Sequence, residues 1–187
     1  MTRFLAACGL VLALAQSAHA DAKKKYHFEL VAVTVRPEVK SDVGGEAQPR
    51  VEKLVKAAFE SHPQLLLALD GAPDISKPDA YRSWLKSHGL SGSYRVTVEI
   101  TEAKFEIEPS DKPNTARVDA HIALHMLGET IPEKTMGFTG DGMATVKIEV
   151  NKNVRDRDRT YAWDQAAELA VADAIKTSIE QLEKPKK

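Results

Sequence analysis

The sequence predicts an α+β two-layer sandwich: a mainly antiparallel sheet with a three-strand meander, and helices packed on one face, including a long C-terminal helix. Three observations point to this fold class. Apolar residues alternate over Ser93 to Ile107 and Ala116 to Leu127, as in strands with one buried face. They recur at helical spacing over Val51 to Phe59 and Trp163 to Leu182. The content of 43% hydrophobic and 28% charged residues is typical of a globular protein.

The N-terminal residues have the features of a secretory signal peptide. Met1-Thr2-Arg3 is positively charged, Phe4 to Ala15 is apolar, and Ala18-His19-Ala20 forms a small-x-small cleavage site. We therefore predict a signal peptide over residues 1–20 and a single exported α+β domain over residues 21–187, in the periplasm or outside the cell. The apolar run is shorter than the roughly 20 residues that a membrane-spanning helix needs, so the sequence predicts no transmembrane span.

Cys8 is the only cysteine of the chain. Leu5-Ala6-Ala7-Cys8 resembles a bacterial lipoprotein box, but the apolar run continues after Cys8 instead of preceding it, so we predict a soluble form rather than a lipid anchor. Cleavage after Ala20 leaves no cysteine for a disulfide or a thiolate nucleophile. The 26 basic and 27 acidic residues nearly cancel, which argues against a nucleic-acid-binding protein.

The first half of the exported domain alternates strands and helices. Tyr26 to Arg36 is rich in valine and predicts a strand whose apolar centre is buried on both faces. Pro37 to Gln48, with its glycine pair, predicts a loop, and an amphipathic helix follows from Pro49 until Pro63 stops it. Leu65 to Leu69 fits a short strand or a helix. Pro78 then begins a second helix, which Gly89 ends.

The second half predicts the meander. Along Ser93 to Ile107 the apolar phase changes, which indicates a β-bulge near Thr101-Glu102. After a turn, Ala116 to Leu127 alternates again and predicts a second long strand. Gly128 to Gly142 predicts irregular structure with a short strand at Thr135 to Thr139, and Val146, Ile148 and Val150 mark a separate last strand. The stripe of alanines in the C-terminal helix indicates close packing on the sheet.

His121 and His125 are the most conspicuous candidates for a metal or ligand site. On a helix, two histidines four residues apart can share an ion, but here the alternating pattern predicts a strand. Four extended residues separate the two rings by roughly 13 Å, too far to share one ion. With Asp119, these residues instead define an outward sheet face that could bind a small ligand.

The remaining motifs indicate no catalytic residue, no cofactor and no metal ligand set. Gly137 to Gly142 has the wrong spacing for a dinucleotide fingerprint. Glu102, Glu106 and Glu108 would lie on a solvated strand face, where carboxylates keep similar proton affinities. Three arginines before the C-terminal helix form a candidate surface for docking a partner, although interleaved aspartates neutralise much of its charge; they are Arg155, Arg157 and Arg159.

The order of elements resembles that of small periplasmic domains similar to the amino-terminal domain of TolB and to the curli-secretion protein CsgG. Three segments carry the resemblance: the first strand Phe28 to Val33, the start of the meander at Gly92 to Val98, and the alanine-rich end Ala166 to Ile175. It spans most of the exported chain. The resemblance implies non-enzymatic work in the envelope, such as partner docking, assembly or support of secretion.

We therefore predict a non-enzymatic, exported protein of the bacterial cell envelope that binds and helps to assemble other envelope components, its protein partner unidentified. Two alternatives stay open. One is a carrier of a small ligand or metal that uses Asp119, His121 and His125. The other is a hydrolase whose site has no recognisable motif.

Overall fold

The computed structural model describes residues 23–184, so the predicted signal peptide and Cys8 lie outside the described residues. The elements in chain order are β1 (Lys25–Val35), α1 (Ser41–Ser61), β2 (Leu65–Leu66), α2 (Pro78–Ser87), β3 (Leu90–Pro109), β4 (Thr115–Thr130), β5 (Met136–Asn151) and α3 (Asp156–Glu183). This order confirms the α+β class and the long C-terminal helix.

The five strands form one mixed sheet in the order β2-β1-β3-β4-β5. The meander from β3 to β5 is antiparallel as predicted, but β1 pairs in parallel with both β2 and β3. The prediction of a mainly antiparallel sheet is therefore wrong for this half. The helices that follow β1 return the chain to the end of the sheet where β1 began, and such crossovers produce parallel neighbours.

The helices lie on both faces of the sheet, not on one. The core side chains of β1, β3, β4 and β5 pack against α1 and α3 in the main hydrophobic cluster. A second, smaller cluster on the opposite face contains Tyr81 and Leu85 of α2 with Leu90 and Ile131. Gly89, with φ of 70°, ends α2 as predicted. The prediction of a single helical layer is corrected by this second cluster.

The register of β3 against β4 contains the predicted bulge. It shifts between Ile100 and Glu102, so that Val98 and Ile100 before the shift and Ala103 and Phe105 after it all face the same core. Without the extra residue, the second half of β3 would turn its apolar side chains to solvent. The bulge therefore decides which charged residues reach the opposite face.

The sheet is strongly curled. Phe28 of β1 and Phe138 of β5 stack with 5.0 Å between ring centroids, although β3 and β4 lie between their strands. The ring of Tyr94 also packs against Phe138. Glycines make room for both rings, because a side chain on Gly128 would overlap Phe138 and one on Gly137 would overlap Tyr94. Val31 is 57% exposed and lies where the register of β1 against β3 shifts, between Leu30 and Ala32, so the prediction that the centre of β1 is buried on both faces is wrong.

Helix α1 begins at Ser41, so the loop predicted for Pro37 to Gln48 is wrong over most of its length. Gly44 lets the helix approach the sheet, since a Cβ there would lie 2.7 Å from Val35. Glu46 accepts a hydrogen bond from the Trp163 indole of α3 at 3.1 Å, and Ala47 is fully buried. These tertiary contacts override the local preference of the glycine pair for a turn.

Strand β5 is continuous over 16 residues, so the predicted irregular segment before a separate last strand is wrong. Its glycines serve close contact with α3 rather than turns. A Cβ on Gly140 would lie 2.6 Å from the carbonyl oxygen of Ala174, and one on Gly142 would overlap the carbonyl oxygen of Ala170. The predicted close packing of the alanine stripe on the sheet is thereby confirmed.

We expect Gly142→Ala to lower the free energy of unfolding by about 1–3 kcal/mol, because the new methyl group meets the rigid backbone of α3. Gly45→Ala is the matched control. Gly45 lies inside α1, and an added Cβ there would have no atom within 4 Å, so we expect this variant to raise the free energy of unfolding by about 0.4–1 kcal/mol. Urea unfolding followed by circular dichroism measures both; equal effects of the two variants would contradict the close-packing argument.

Candidate functional site

The candidate site is the face of β3, β4 and β5 that points away from α1 and α3, here named the outer face. Its side chains come from every second residue of each strand, in the phase that the bulge of β3 sets. The outer face includes Glu102, Lys104, Glu106 and Glu108 of β3, Arg117, Asp119, His121 and His125 of β4, and Asp141, Met143, Thr145, Lys147 and Glu149 of β5.

Opposite charges pair on the outer face, both between neighbouring strands and within one strand. Lys147 Nζ lies 3.1 Å from Asp119 Oδ2, and Lys104 Nζ donates to Glu102 Oε2 at 3.0 Å. The hydrogen bond and the charge of Lys104 hold the pKa of Glu102 below its usual range. The register sets Glu106 directly opposite Asp119, and Lys147 on the other side of Asp119 offsets this repulsion. The surface therefore carries both signs of charge in a fixed pattern.

The structure confirms that the segment around His121 and His125 is extended, since it lies within β4. His121 Nδ1 lies 2.8 Å from Thr145 Oγ1, whereas His125 Nδ1 lies 2.6 Å from Asp141 Oδ1. The two imidazoles thus bind different neighbours. Among residues 23–184, no three His, Cys, Asp or Glu side chains are arranged to hold a metal ion.

A shallow groove of about 300 Å³ crosses the outer face. Asp119 and His121 line it together with Glu102, Lys104, Met143 and Lys147. The structure therefore brings together two of the three predicted ligand-face residues, and His125 lies outside the groove. Such a lining offers hydrogen bonds and charges of both signs, but the groove is too shallow to enclose a ligand.

Two of the three predicted docking arginines, Arg157 and Arg159, have different surroundings. Arg159 Nη2 lies 3.1 Å from Glu46 Oε1 of α1, and its guanidinium lies over the Phe105 ring at 4.3 Å from the centroid. Arg157 is 74% exposed at the side chain, and its Nε lies 3.5 Å from Asp158 Oδ1. Arg159 thus ties α3 to α1, and Arg157 faces solvent.

A buried polar cluster beneath α2 was not found from the sequence. His27 Nδ1 of β1 lies 2.7 Å from Ser93 Oγ of β3, and Ser93 Oγ lies 2.9 Å from the Tyr81 hydroxyl of α2. All three side chains are at most 7% exposed. Because they come from three distant segments, no spacing in the sequence could reveal the cluster.

The chemistry of this cluster is that of a satisfied core contact. Burial lowers the pKa of His27, and a hydrogen bond to the Leu67 backbone partly opposes this shift. In neutral His27, Nδ1 can accept the Ser93 hydroxyl proton while Tyr81 donates to Ser93. A serine beside a histidine is also the arrangement of an activated nucleophile, but a nucleophile must be reachable by its substrate. Here α2 covers it.

No family model and no curated protein matches this chain. Solved structures match it at low identity. A minor lipoprotein from Acinetobacter baumannii is 12% identical, with a TM-score of 0.45, over 84% of this chain and 94% of that one. A Xanthomonas campestris protein of family DUF330 is 13% identical, with a TM-score of 0.43, over 86% and 90%. A hypothetical protein from Chlamydia trachomatis is 12% identical, with a TM-score of 0.41, over 86% and 98%.

These TM-scores lie below 0.5, so the likenesses identify no family and assign no function to this chain. The helices described within residues 23–184 include no segment with the length and hydropathy of a membrane span.

We expect the folding stability to fall as the pH drops below about 6.5, the usual pKa of histidine. The lowered pKa of His27 means that the unfolded chain binds a proton more readily than the folded one, so acid favours unfolding down to the folded pKa. His27→Gln should flatten part of this dependence, because glutamine does not titrate and can accept the Ser93 hydrogen bond. Part of the pH dependence should remain in this variant, because burial also lowers the pKa of His62.

Thermal unfolding between about pH 7.5 and pH 5 measures this dependence. Ser93→Ala is the control, since it removes a hydrogen bond but leaves the buried imidazole. It should lower the melting temperature at every pH and preserve the slope. An unchanged slope in His27→Gln would show that His27 is not responsible.

Proposed function

We propose that this protein is an exported, non-enzymatic protein of the bacterial cell envelope that binds other envelope components and supports their assembly. The observation that carries this proposal is the outer face, a polar sheet surface that no described helix covers over β4 and β5. Its strands hold charges of both signs in fixed register, and such patterns select partners by electrostatic complementarity.

The envelope location rests on the signal peptide predicted for residues 1–20, which lies outside the described residues. The resemblance in element order to TolB-like and CsgG-like domains supports the same location and remains a prediction. The soluble form also remains a prediction, since Cys8 falls in the same N-terminal segment outside the described residues.

The ligand-carrier alternative would depend mainly on Asp119 and His121. His125 pairs with Asp141 outside their groove, so we leave it out of this alternative. The docking role predicted for the arginines remains a proposal for Arg155 and Arg157, whereas the Arg159 guanidinium is engaged by Glu46. The outer face is therefore the surface that we propose for a protein partner.

A photo-crosslinking residue in place of Lys104 should capture envelope proteins in intact cells, and one in place of Lys56 should not. Both lysines are exposed and pair with a glutamate two or four residues away, but Lys104 lies on the outer face and Lys56 on α1. Mass spectrometry identifies the captured proteins. Equal capture at the two positions, or none at Lys104, would remove the outer face as the binding surface.

The hydrolase alternative is favoured by one observation, the 2.7 Å contact between Ser93 Oγ and His27 Nδ1. The non-enzymatic proposal predicts that a fluorophosphonate probe does not label the folded protein, because Ser93 is 3% exposed. Intact-protein mass spectrometry measures labelling, with Ser93→Ala as the control. Labelling that Ser93→Ala abolishes would replace this proposal with a hydrolase.

A further inference from the structure

Strand β5 forms one edge of the sheet, and only its first half is covered. There, the Thr139 N–H donates to Gln181 of α3 at 2.5 Å, and Thr177 of α3 donates to the Asp141 carbonyl at 2.8 Å. From Met143 to Asn151 no described group of another element bonds the outer edge. This second half is therefore an open template for strand pairing.

The outward backbone groups of this half follow from the strand geometry. In an antiparallel strand the N–H and C=O of a residue point to the same side, and successive residues alternate. Thr139 and Asp141 point outward to α3, whereas the Lys152 N–H bonds to the Asn114 carbonyl on the β4 side. Thr145, Lys147 and Glu149 therefore direct their backbone groups to the open side.

The side chains of this half alternate between apolar and polar. Val146, Ile148 and Val150 face the core but are only partly buried. Lys147 and Glu149 lie on the outer face between them, 60% and 46% exposed. An adjacent strand could thus cover apolar side chains on one face and pair charges on the other.

We propose that β5 pairs antiparallel with β5 of a second copy of this chain, about a twofold axis at Ile148. In this register Lys147 lies opposite Glu149 of the second copy, and Glu149 opposite Lys147. Val146 lies opposite Val150, and Ile148 opposite its own counterpart. Pairing from Thr145 to Asn151 would form about eight backbone hydrogen bonds and join two five-stranded sheets into one.

Charge selects this register. A twofold axis at Lys147 would oppose two lysines, and one at Glu149 would oppose two glutamates. A slip by one residue would set the outward backbone groups of one copy against inward-directed groups of the other. The axis at Ile148 satisfies both the charges and the backbone.

The other open stretches are less suited to a second copy. At the opposite edge, β2 pairs with the start of β1, and Gln48 donates to the Val33 carbonyl at 2.7 Å. The pairing of β3 with β1 ends at Ile100, and the outer face of β3 after that residue carries one lysine and three glutamates. A register that opposes Lys104 and Glu106 there also opposes Glu102 and Glu108.

Cysteine cross-linking tests the register in full-length protein that carries Cys8→Ser. Ile148→Cys should form a disulfide-linked dimer under mild oxidation, because the axis brings residue 148 next to its counterpart. Val146→Cys is the matched control. It lies about four residues, or roughly 13 Å, from its counterpart along the strand and should cross-link at least about tenfold less. Absence of the Ile148→Cys dimer, or equal cross-linking of both variants, would overturn the proposal.

Charge variants test the same pairing without cysteine. Lys147→Glu and Glu149→Lys should each weaken the dimer by about tenfold, because like charges then face each other twice. An equal mixture of the two variants should recover the affinity, since every opposed pair is then Lys with Glu. Sedimentation velocity measures the dimer, and circular dichroism verifies the fold. Monomers at all concentrations, larger open assemblies, or no recovery in the mixture would refute it.

The inference deepens the proposed binding function by naming one partner, and the two can fail separately. Loss of the dimer, with specific capture of envelope proteins at Lys104, would leave the binding function and remove only the β5 pairing. A dimer without such capture would leave the pairing and remove the wider assembly role.

Discussion

The close contact between α3 and β5 determines much of this structure. Gly140 and Gly142 leave no side chain between the sheet and the backbone of Ala174 and Ala170, so the helix lies nearer to the strand than ordinary packing would allow. Ser178, fully buried at the same contact, donates its hydroxyl hydrogen to the Ala174 carbonyl at 2.7 Å. A methyl group on either glycine would meet the backbone of α3, so the helix or the strand would have to shift.

The direction of α3 follows from this contact and explains which part of β5 stays open. Near its start the helix stacks Trp163 on Phe105 of β3, with 5.5 Å between centroids, and its middle lies on Gly142 of β5. It therefore crosses the strands diagonally. The helix reaches the edge of β5 only at Thr139 and Asp141, so the following residues retain free backbone groups. The outer face stays uncovered because both long helices are used on the opposite face.

The sequence predicted the elements whose residues repeat locally. The alternation in β4 and the phase change at the bulge of β3 are visible within a few residues, and they sufficed to predict the outward direction of Asp119, His121 and His125. The loops predicted in α1 and in β5 were wrong because glycines occur there for close packing, and in the sequence such glycines look the same as those of a turn. The cluster of His27, Tyr81 and Ser93 was unpredictable, since the fold alone brings the three segments together.

An open strand edge is ordinarily a liability, and charged residues usually protect it. In β5 the same residues both protect the edge and limit its choice of partner. Lys147 and Glu149 lie two positions apart, so they repel a second copy in the neighbouring symmetric registers and attract it in one. Each also has a partner within its own chain, Asp119 and Lys112, so neither depends on a second copy for neutralisation. The proposed pairing can thus be specific in register without being needed to neutralise these two charges.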